Sequence, residues 1–262
     1  MSSSQKASPA LKPFVHVPYD SVDTYLSFIR EAKLNLEIYF GSRSFNNLTS
    51  SDIFNLRKKL DYHPGLTIHA PFMDLSPGAV DLNVREVTVK RFLDVLHVAE
   101  TLKPEVIVFH SGYDKWKYNN RVNIWLENSL QTWEPINKRA SDIGVKIAIE
   151  NIFEDEPGNL TMLAEAMNSD NFGICFDTGH FNLFSRLPLQ KWLGMIKPYI
   201  KELHLHDNSR DGDDHLAIGD GSFDFKLLFD ELKGIDCAYT IEAHSVEDVK
   251  KSLARISDFT SS

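Results

Sequence analysis

The sequence predicts a single (β/α)8 barrel, the fold known as the TIM barrel. Three observations favour it: short β-type runs alternate with longer helical patterns, eight such pairs can be counted, and the chain has 262 residues. Strands that alternate with helices indicate parallel pairing, and eight strands close a barrel of about 250 residues. A doubly wound sheet would normally carry a glycine-rich phosphate loop after its first strand. This chain has HVPYDSVD there, so the barrel is the better prediction.

The eight predicted strands are short apolar runs rich in β-branched and aromatic residues. They are Phe14–Val17, Leu34–Tyr39, Leu66–His69, Val106–His110, Val145–Glu150, Phe172–Asp177, Ile200–His206 and Ala238–Glu242. The helices between them are predicted at Val22–Lys33, Ser51–Leu60, Val84–Leu102, Arg121–Ile143, Leu160–Met167, Leu189–Ile196, Phe225–Leu232 and Val246–Ile256. In the first helix, Val22, Tyr25 and Ile29 would share one apolar face. Gly144 is a C-terminal cap for the fourth helix, and Ser245 is an N-terminal cap for the last.

The composition bears on three properties of the protein: nucleic-acid binding, disulfide content and membrane insertion. Asp and Glu number 37 against 28 Lys and Arg, a formal charge of −9, so a global basic footprint for nucleic acid is absent. Two cysteines, Cys175 and Cys237, lie in apolar runs; we expect buried free thiols and a reducing compartment. No run approaches the roughly 18 apolar residues of a membrane span. We expect residues 1–10 to be a disordered tail, residues 11–262 to form the barrel, and the protein to be cytoplasmic.

Ligand-type side chains end six consecutive predicted strands. They are His69, His110, Glu150, Asp177, His206 and Glu242. In a TIM barrel these positions converge on the catalytic face. His180, Asp213 and His215 lie in the adjoining loops.

Each of these residues alone has an ordinary explanation as a helix cap or a solvated charge, but six in succession are hard to obtain by accident. Four carboxylates in one mouth would also repel one another unless cations compensate them. Mixed histidine and carboxylate ligation suits Zn²⁺, and also Mn²⁺ or Fe²⁺. The sequence therefore predicts a divalent-metal enzyme.

With these motifs, the chain resembles the xylose isomerase-like TIM barrel superfamily, which includes endonuclease IV and the ketose 3-epimerases. The resemblance spans about Leu11 to Ile256. It is carried by IHAP at His69, VFHSG at His110, IEN at Glu150, FDTGH at Asp177, HLHDN at His206, DDHLAIGDG at Asp213 and TIEAH at Glu242. Each motif is short, but their order and spacing together are specific.

The resemblance implies two ligand sets. The epimerases and isomerases hold one metal with Glu, Asp, His and Glu, roles that fall here on Glu150, Asp177, His206 and Glu242. The two glutamates would also be catalytic, flanking the sugar and moving its proton. Endonuclease IV binds three zinc ions with five further ligands, which correspond to His69, His110, His180, Asp213 and His215. All nine ligand types are present.

This chain departs from the family patterns at some positions that favour endonuclease IV and at others that favour the isomerases. Ketose 3-epimerases carry an arginine before the GxG of the seventh loop, where this chain has His215, as the nuclease does. Glu37 in the second strand matches a sugar-contacting carboxylate of the isomerases, or is an ordinary strand-end charge. Asn151 of the IEN motif and Trp116 are further candidates for substrate binding. Trp116 lies in YDKWKYNNR, a basic and aromatic segment that could stack on a ring or pack on the barrel rim.

Two enzymatic hypotheses follow. The first is a metal-dependent isomerase or epimerase that acts on a sugar or sugar phosphate by proton transfer through an enediolate. The alternative is an endonuclease IV-like phosphoester hydrolase, an AP endonuclease with three zinc ions. We expect one to three Zn²⁺ or Mn²⁺ ions, a sugar substrate in preference to nucleic acid, no membrane partner and a possible homo-oligomer. A third hypothesis, a degenerate barrel that only binds, would predict missing ligands, and none is missing.

Overall fold

A closed barrel of eight parallel strands forms the centre of the molecule, in the order in which the strands occur along the chain. The computed structural model describes residues 12–260, so the tail expected at residues 1–10 lies outside the described residues. The strands are β1 Phe14–Pro18, β2 Asn35–Tyr39, β3 Leu66–His69, β4 Val106–His110, β5 Lys146–Glu150, β6 Phe172–Asp177, β7 Ile200–Leu205 and β8 Ala238–Ile241. Each strand pairs with the next, and β8 pairs with β1. The predicted fold class is confirmed.

Helices surround the barrel and connect successive strands. They are α1 Val22–Ala32, α2 Ser42–Asn46, α3 Ser50–Lys59, α4 Leu82–Leu102, α5 Val122–Asp142, α6 Gly158–Met167, α7 Thr178–Phe184, α8 Leu189–Ile196, α9 Phe225–Glu231 and α10 Val246–Thr260. The sequence prediction missed α2 and α7. Within residues 12–260, no helix combines the length and the apolar character that crossing a membrane requires.

The core lies mostly between the barrel and the helices. Trp125, Trp133 and Trp192 are fully buried there. Inside the barrel, Val106, Val108, Ala148 and Cys175 form a small apolar cluster, which fills the interior below the catalytic face. Both cysteines are free, as predicted, but Cys237 is only partly buried.

Strand alternation decides which side chains enter the barrel. Residues two apart on a strand point to the same side, so Glu202, His204 and His206 all face the interior from β7 and the residue after it. One irregularity interrupts the pairing of β6 with β7: Ile174 pairs with Ile200, but Cys175 pairs with Glu202. Beyond this bulge, Asp177 pairs with His204. These two side chains therefore lie at the same height in the barrel.

Candidate metal centre

Histidines from β3 and β4 meet the glutamate of β5. The Nε2 atoms of His69 and His110 lie 3.1 Å and 3.3 Å from Glu150 Oε2. Two ligands of one tetrahedral zinc ion, each at about 2.0–2.1 Å from it, are separated by roughly 3.3 Å. His69 Nδ1 lies 3.0 Å from the carbonyl oxygen of Ala70, an arrangement that leaves Nε2 for an ion. These three residues fit one metal ion.

A second group surrounds His204, which the sequence analysis did not select. Its Nδ1 atom lies 3.3 Å from Glu242, 3.6 Å from Glu150 and 3.8 Å from Asp177. The imidazole is fully buried, and within residues 12–260 its Nδ1 atom has no hydrogen-bond partner. A buried, unpaired nitrogen that faces three carboxylates is suited to complete the coordination of a cation. The residues present therefore fit a metal ion here.

His206, to which the resemblance gave this ligand role, lies beside the second group. Its Nε2 atom is 3.1 Å from each carboxylate oxygen of Asp177, but 4.0 Å from Glu242. Its ring stacks on His215 with the centroids 3.9 Å apart. The structure brings His206 to the site, whereas the nitrogen that faces all three carboxylates belongs to His204. The alternation of Glu202, His204 and His206 was a sequence signal that His204 also faces the interior, but it does not rank the two histidines.

A third group lies at the mouth of the barrel. His180 Nε2 and His215 Nε2 lie 3.4 Å and 3.3 Å from Asp213 Oδ2. His180 also links the groups, because its Nδ1 atom is 3.1 Å from Glu150 Oε1. Asp177 accepts a hydrogen bond from the backbone N–H of His180 as the N-terminal cap of α7. All nine predicted ligand residues therefore converge, in three adjoining groups.

The loop that carries Asp213 and His215 is held by Asp207, another residue that the sequence analysis missed. Its carboxylate accepts hydrogen bonds from the backbone N–H groups of Gly219, Gly221 and Phe223. A short antiparallel bridge between Asp207 and Leu216 closes the base of the loop. Three hydrogen bonds to one buried carboxylate fix the loop against the barrel, which positions the third group.

Burial and neighbouring charges shift the pKa values of the side chains in this site in opposite directions. Burial alone would raise the pKa of Glu150, but the positive charges of His204 and His110 lower it well below its ordinary value. Burial alone would lower the pKa of His180, but Asp177, Asp213 and Glu150 raise it well above its ordinary value. Glu150 is therefore ionised at neutral pH. A histidine that binds a metal must first lose its proton, so metal binding here releases protons.

Glu37 and His16 form the floor on the β1 and β2 side. Glu37 is fully buried, and its two oxygens lie 2.7 Å from His16 Nδ1 and 3.1 Å from His204 Nε2. His16 Nδ1 also lies 3.1 Å from Glu242 Oε1. The sequence analysis missed His16 and selected Glu37 as a candidate sugar contact. The structure places Glu37 beneath the site, with both oxygens engaged by histidines that face it.

Asn151 and Trp116, the other two candidates for substrate binding, differ in burial. Asn151 is buried, and its amide group exchanges hydrogen bonds with the backbone N–H and carbonyl of Asp177. It thus fixes the end of β6. Trp116 lies outside the metal cavity, on the loop between β4 and α5, and its side chain is 75% exposed.

The cavity over the metal groups has a volume of about 390 Å³. Its walls are largely aromatic, formed by Tyr39, Phe72, Phe153 and Phe184, with Ile152 beside them. Among the lining residues, all of which fall within the described part of the chain, there is no lysine or arginine. A ligand in this cavity would thus meet apolar rings, histidines and carboxylates.

Known proteins resemble this chain in sequence over most of its length. The sequence pattern of the xylose isomerase-like TIM barrel family matches residues 35–259. The uncharacterized protein MJ1311 of Methanocaldococcus jannaschii is 34% identical over 200 residues, which are 73% of this chain and 68% of that protein. The probable endonuclease 4 of Mycoplasma capricolum is 26% identical over 184 residues, covering 62% of this chain and 61% of that protein.

Two solved structures share the whole barrel. The D-tagatose 3-epimerase-like protein superposes with a TM-score of 0.80 and 27% identity, over 95% of this chain and 97% of that chain. The TTHB071 protein from Thermus thermophilus, soaked with ZnCl2, also gives 0.80, with 25% identity over 96% of this chain and 98% of that chain. Sequence and structure together show that this chain belongs to the xylose isomerase-like TIM barrel family.

Proposed function

We propose that the protein is a divalent-metal-dependent isomerase or epimerase that moves a proton on a neutral sugar. The observation that carries the proposal is the approach of Glu150 and Glu242 to one atom, His204 Nδ1, at 3.6 Å and 3.3 Å. The two glutamates come from β5 and β8, which are not neighbours in the barrel. A sugar held at this point would therefore have a carboxylate on each of two sides.

Glu150, Asp177, His204 and Glu242 would hold the ion, for which Zn²⁺ and Mn²⁺ are suitable. When bound, the ion supplies Lewis-acid stabilisation of the negative charge that develops on a carbonyl oxygen. One glutamate would take the proton from the carbon beside that carbonyl and later release it to solvent, while the other would take up a proton from solvent and deliver it to the opposite face. Burial alone would raise the pKa of Glu242, but the charges of His204 and His16 lower it well below its ordinary value. The carboxylate is therefore in its basic form at neutral pH.

The charges around the cavity support a substrate without phosphate. Counted formally, with the charges of Glu37 and His16 cancelling and the other histidines neutral, the four carboxylates Glu150, Asp177, Asp213 and Glu242 with one divalent ion give −4 + 2 = −2. A phosphate would be repelled by this charge, and the cavity lining offers it no lysine or arginine. The aromatic walls instead suit the C–H faces of a sugar ring, which pack against π-systems.

A second candidate, phosphoester hydrolysis, is favoured by the other two ligand groups. If His69 with His110, and His180 with His215, each held an additional ion, the same four carboxylates would give −4 + 6 = +2. That charge would attract a phosphate, and three ions could orient a hydroxide for attack on it. The similarity to a probable endonuclease 4 agrees with this candidate.

Metal stoichiometry and isotope exchange distinguish the sugar reaction from phosphoester hydrolysis. Elemental analysis of the purified protein should give near one ion per chain for the sugar reaction and near three for hydrolysis. NMR in D2O should then detect exchange of a carbon-bound proton when the protein is incubated with a panel of aldoses and ketoses. Glu150→Gln and Glu242→Gln should each abolish the exchange while the fold survives. Cleavage of abasic-site DNA by the wild type, without exchange in any sugar, would reject the proposal.

A further inference from the structure

A second cavity adjoins the metal cavity on the side of β4 and β5. This rim cleft has a volume of about 340 Å³ and lies between the β4–α5 loop and the β5–α6 loop. Its lining includes Tyr113, Trp116, Phe153, Glu154, Asp155 and Asn159. Phe153 lines the rim cleft and the cavity over the metal ligands alike. The two cavities therefore adjoin, with the Phe153 side chain as a wall of each.

Two large aromatic side chains stand exposed at the rim cleft. Trp116 is 75% exposed and Phe153 is 63% exposed. Trp125, Trp133 and Trp192, the remaining tryptophans of the chain, are all fully buried. Exposed apolar groups that flank a concavity commonly mark a binding site, because leaving them in water costs free energy that a ligand can recover. The exposure of Trp116 thus sets it apart within this protein.

Hydrogen bonds and an ion pair hold the rim cleft in shape before any ligand arrives. Asp114 Oδ1 accepts hydrogen bonds from the backbone N–H groups of Trp116 and Lys117, at 2.7 Å and 3.0 Å. Lys115 Nζ lies 2.6 Å from Asp155 Oδ2, which ties one loop to the other. Loops fixed in this way lose little entropy on binding. Lys115 Nζ also lies over the Trp116 ring, 5.6 Å from its centroid, so a ligand would stack on the opposite face of that ring.

A further buried link joins the same two loops. The hydroxyl of Ser111 donates to Glu154 Oε1 at 3.0 Å, and the side chain of Asn159 donates to the same oxygen at 3.0 Å. Burial raises the pKa of Glu154 despite these hydrogen bonds. The floor of the rim cleft is therefore a packed and buried polar network that holds the two loops together.

Charge excludes a polyanion from the rim cleft. Lys115 is the one basic residue among its lining residues, all of which lie in the described part of the chain, and it is already paired with Asp155. Asp114 and Glu156 add further negative charge. Binding of a nucleic acid depends on unpaired lysines and arginines that contact phosphates. Aromatic faces beside carboxylates instead suit a neutral ring with hydroxyl groups.

We propose that the rim cleft binds a second ring of the substrate, so that the substrate is a neutral oligosaccharide whose reducing-end sugar opens to expose the carbonyl that proton transfer requires. The reacting sugar would lie over the metal ligands, and the second ring would stack between Trp116 and Phe153. This inference rests on the proposed function, since it places the reacting sugar at Glu150 and Glu242.

Tryptophan fluorescence tests the inference directly, because Trp116 alone among the four tryptophans is accessible to a ligand. The metal-loaded protein would be titrated with phenyl and methyl glycosides of glucose, galactose and xylose, with excitation at 295 nm. We expect the phenyl glycosides to perturb Trp116 and to bind about tenfold more tightly than their methyl counterparts, the scale of one aromatic stacking contact. The ligand-induced fluorescence change should disappear in Trp116→Phe, which would assign the change to Trp116.

Isothermal titration calorimetry of variants then assigns the contact. Phe153→Ala and Trp116→Ala should bring the phenyl-to-methyl affinity ratio close to one. Phe54→Ala removes an aromatic ring that is 55% exposed on α3, away from both loops, and should leave the ratio unchanged.

The outcomes of these experiments distinguish the proposed second-ring subsite from the proposed proton transfer. A wild-type ratio near one, or no perturbation of Trp116 by any glycoside, overturns the subsite even if sugars exchange their protons. Perturbation of Trp116 by a single-stranded oligonucleotide at micromolar concentration overturns it as well. A ratio near ten that falls in both rim variants supports it. If no reducing sugar or reducing oligosaccharide then exchanges a proton, the subsite stands and the proposed proton transfer fails.

Discussion

Glu202 should make the protein less stable as the pH rises from 5 to 8. This glutamate lies inside the barrel below the metal ligands and is fully buried. Thr67 and Thr240 donate hydrogen bonds to its Oε1 atom, whereas Oε2 has no hydrogen-bond partner in the described part of the chain. Burial, and then the negative charge of Glu37, raise the pKa of Glu202 to about 8. The folded protein therefore keeps the proton at neutral pH.

The sign and the size of the effect follow from proton linkage. A glutamate with the ordinary pKa of 4.5 is ionised in the unfolded chain above that pH, whereas folded Glu202 stays protonated up to about pH 8. The folded state thus binds one more proton in this window, and the free energy of unfolding falls as pH rises. At about 1.4 kcal/mol per pKa unit, the loss between pH 5 and pH 8 is about 3 to 4 kcal/mol.

Glu202→Gln isolates this contribution, because glutamine keeps the shape and the donor of the protonated acid but does not titrate. Urea unfolding of both proteins at pH 5, 6, 7 and 8, in one chelator-containing buffer, measures the difference. The two should be nearly equal at pH 5, and the variant should be more stable by about 3 to 4 kcal/mol at pH 8. Glu134→Gln, at an exposed position of α5, is the control. Wild-type and Glu202→Gln stabilities that run parallel across this range would refute the reasoning.

Three further expectations concern the metal centre. His204→Asn should weaken metal binding by at least about 10- to 100-fold, whereas His206→Asn should weaken it less. Calorimetric titration with Zn²⁺ measures both affinities. If His206→Asn bound Zn²⁺ more weakly than His204→Asn, the ligand role would return to His206. Chelation should lower the melting temperature, since an ion that binds the folded state at 100 times its Kd adds about 2.7 kcal/mol; a melting temperature indifferent to chelator and added metal would contradict this. Gly179→Ala should lower stability and metal content, because a Cβ atom there would overlap the imidazole of His206. Its control is Gly194→Ala, which meets no atom within 4 Å, and equal losses in both variants would count against the contact.

The barrel was predictable because its signals are local. Each strand is a short apolar run, each connection is a helical pattern, and the count of eight leaves one closed arrangement. The third, fourth, fifth and sixth strands end at His69, His110, Glu150 and Asp177, as predicted. Local information also sufficed to gather the nine ligand candidates, because parallel strands place their ends on one face.

The position of a ligand along a strand was less predictable, because it depends on register. The prediction took the last histidine of the seventh run, whereas the bulge between β6 and β7 sets His204 level with Asp177. Nothing in the sequence marks that bulge. The same limit explains α7, where Asp177 ends β6 and caps the next helix at once, so no loop residues separate the two elements.

His204 was not predicted from the sequence, whereas Glu37 was predicted to contact the substrate. In the structure these two residues are hydrogen-bonded to each other. Burial alone would raise the pKa of Glu37, but the charges of His204 and His16 lower it to about 2. An ionised carboxylate can only accept, so Nε2 of His204 must donate to it across the 3.1 Å that separate them. Once the imidazole is neutral, its free electron pair therefore resides on Nδ1, the atom that faces Glu150, Asp177 and Glu242. Carboxylate support of this kind orients a metal-bound histidine and raises its basicity. A carboxylate at position 37 is thus explained by its histidine partner without any sugar in contact with it.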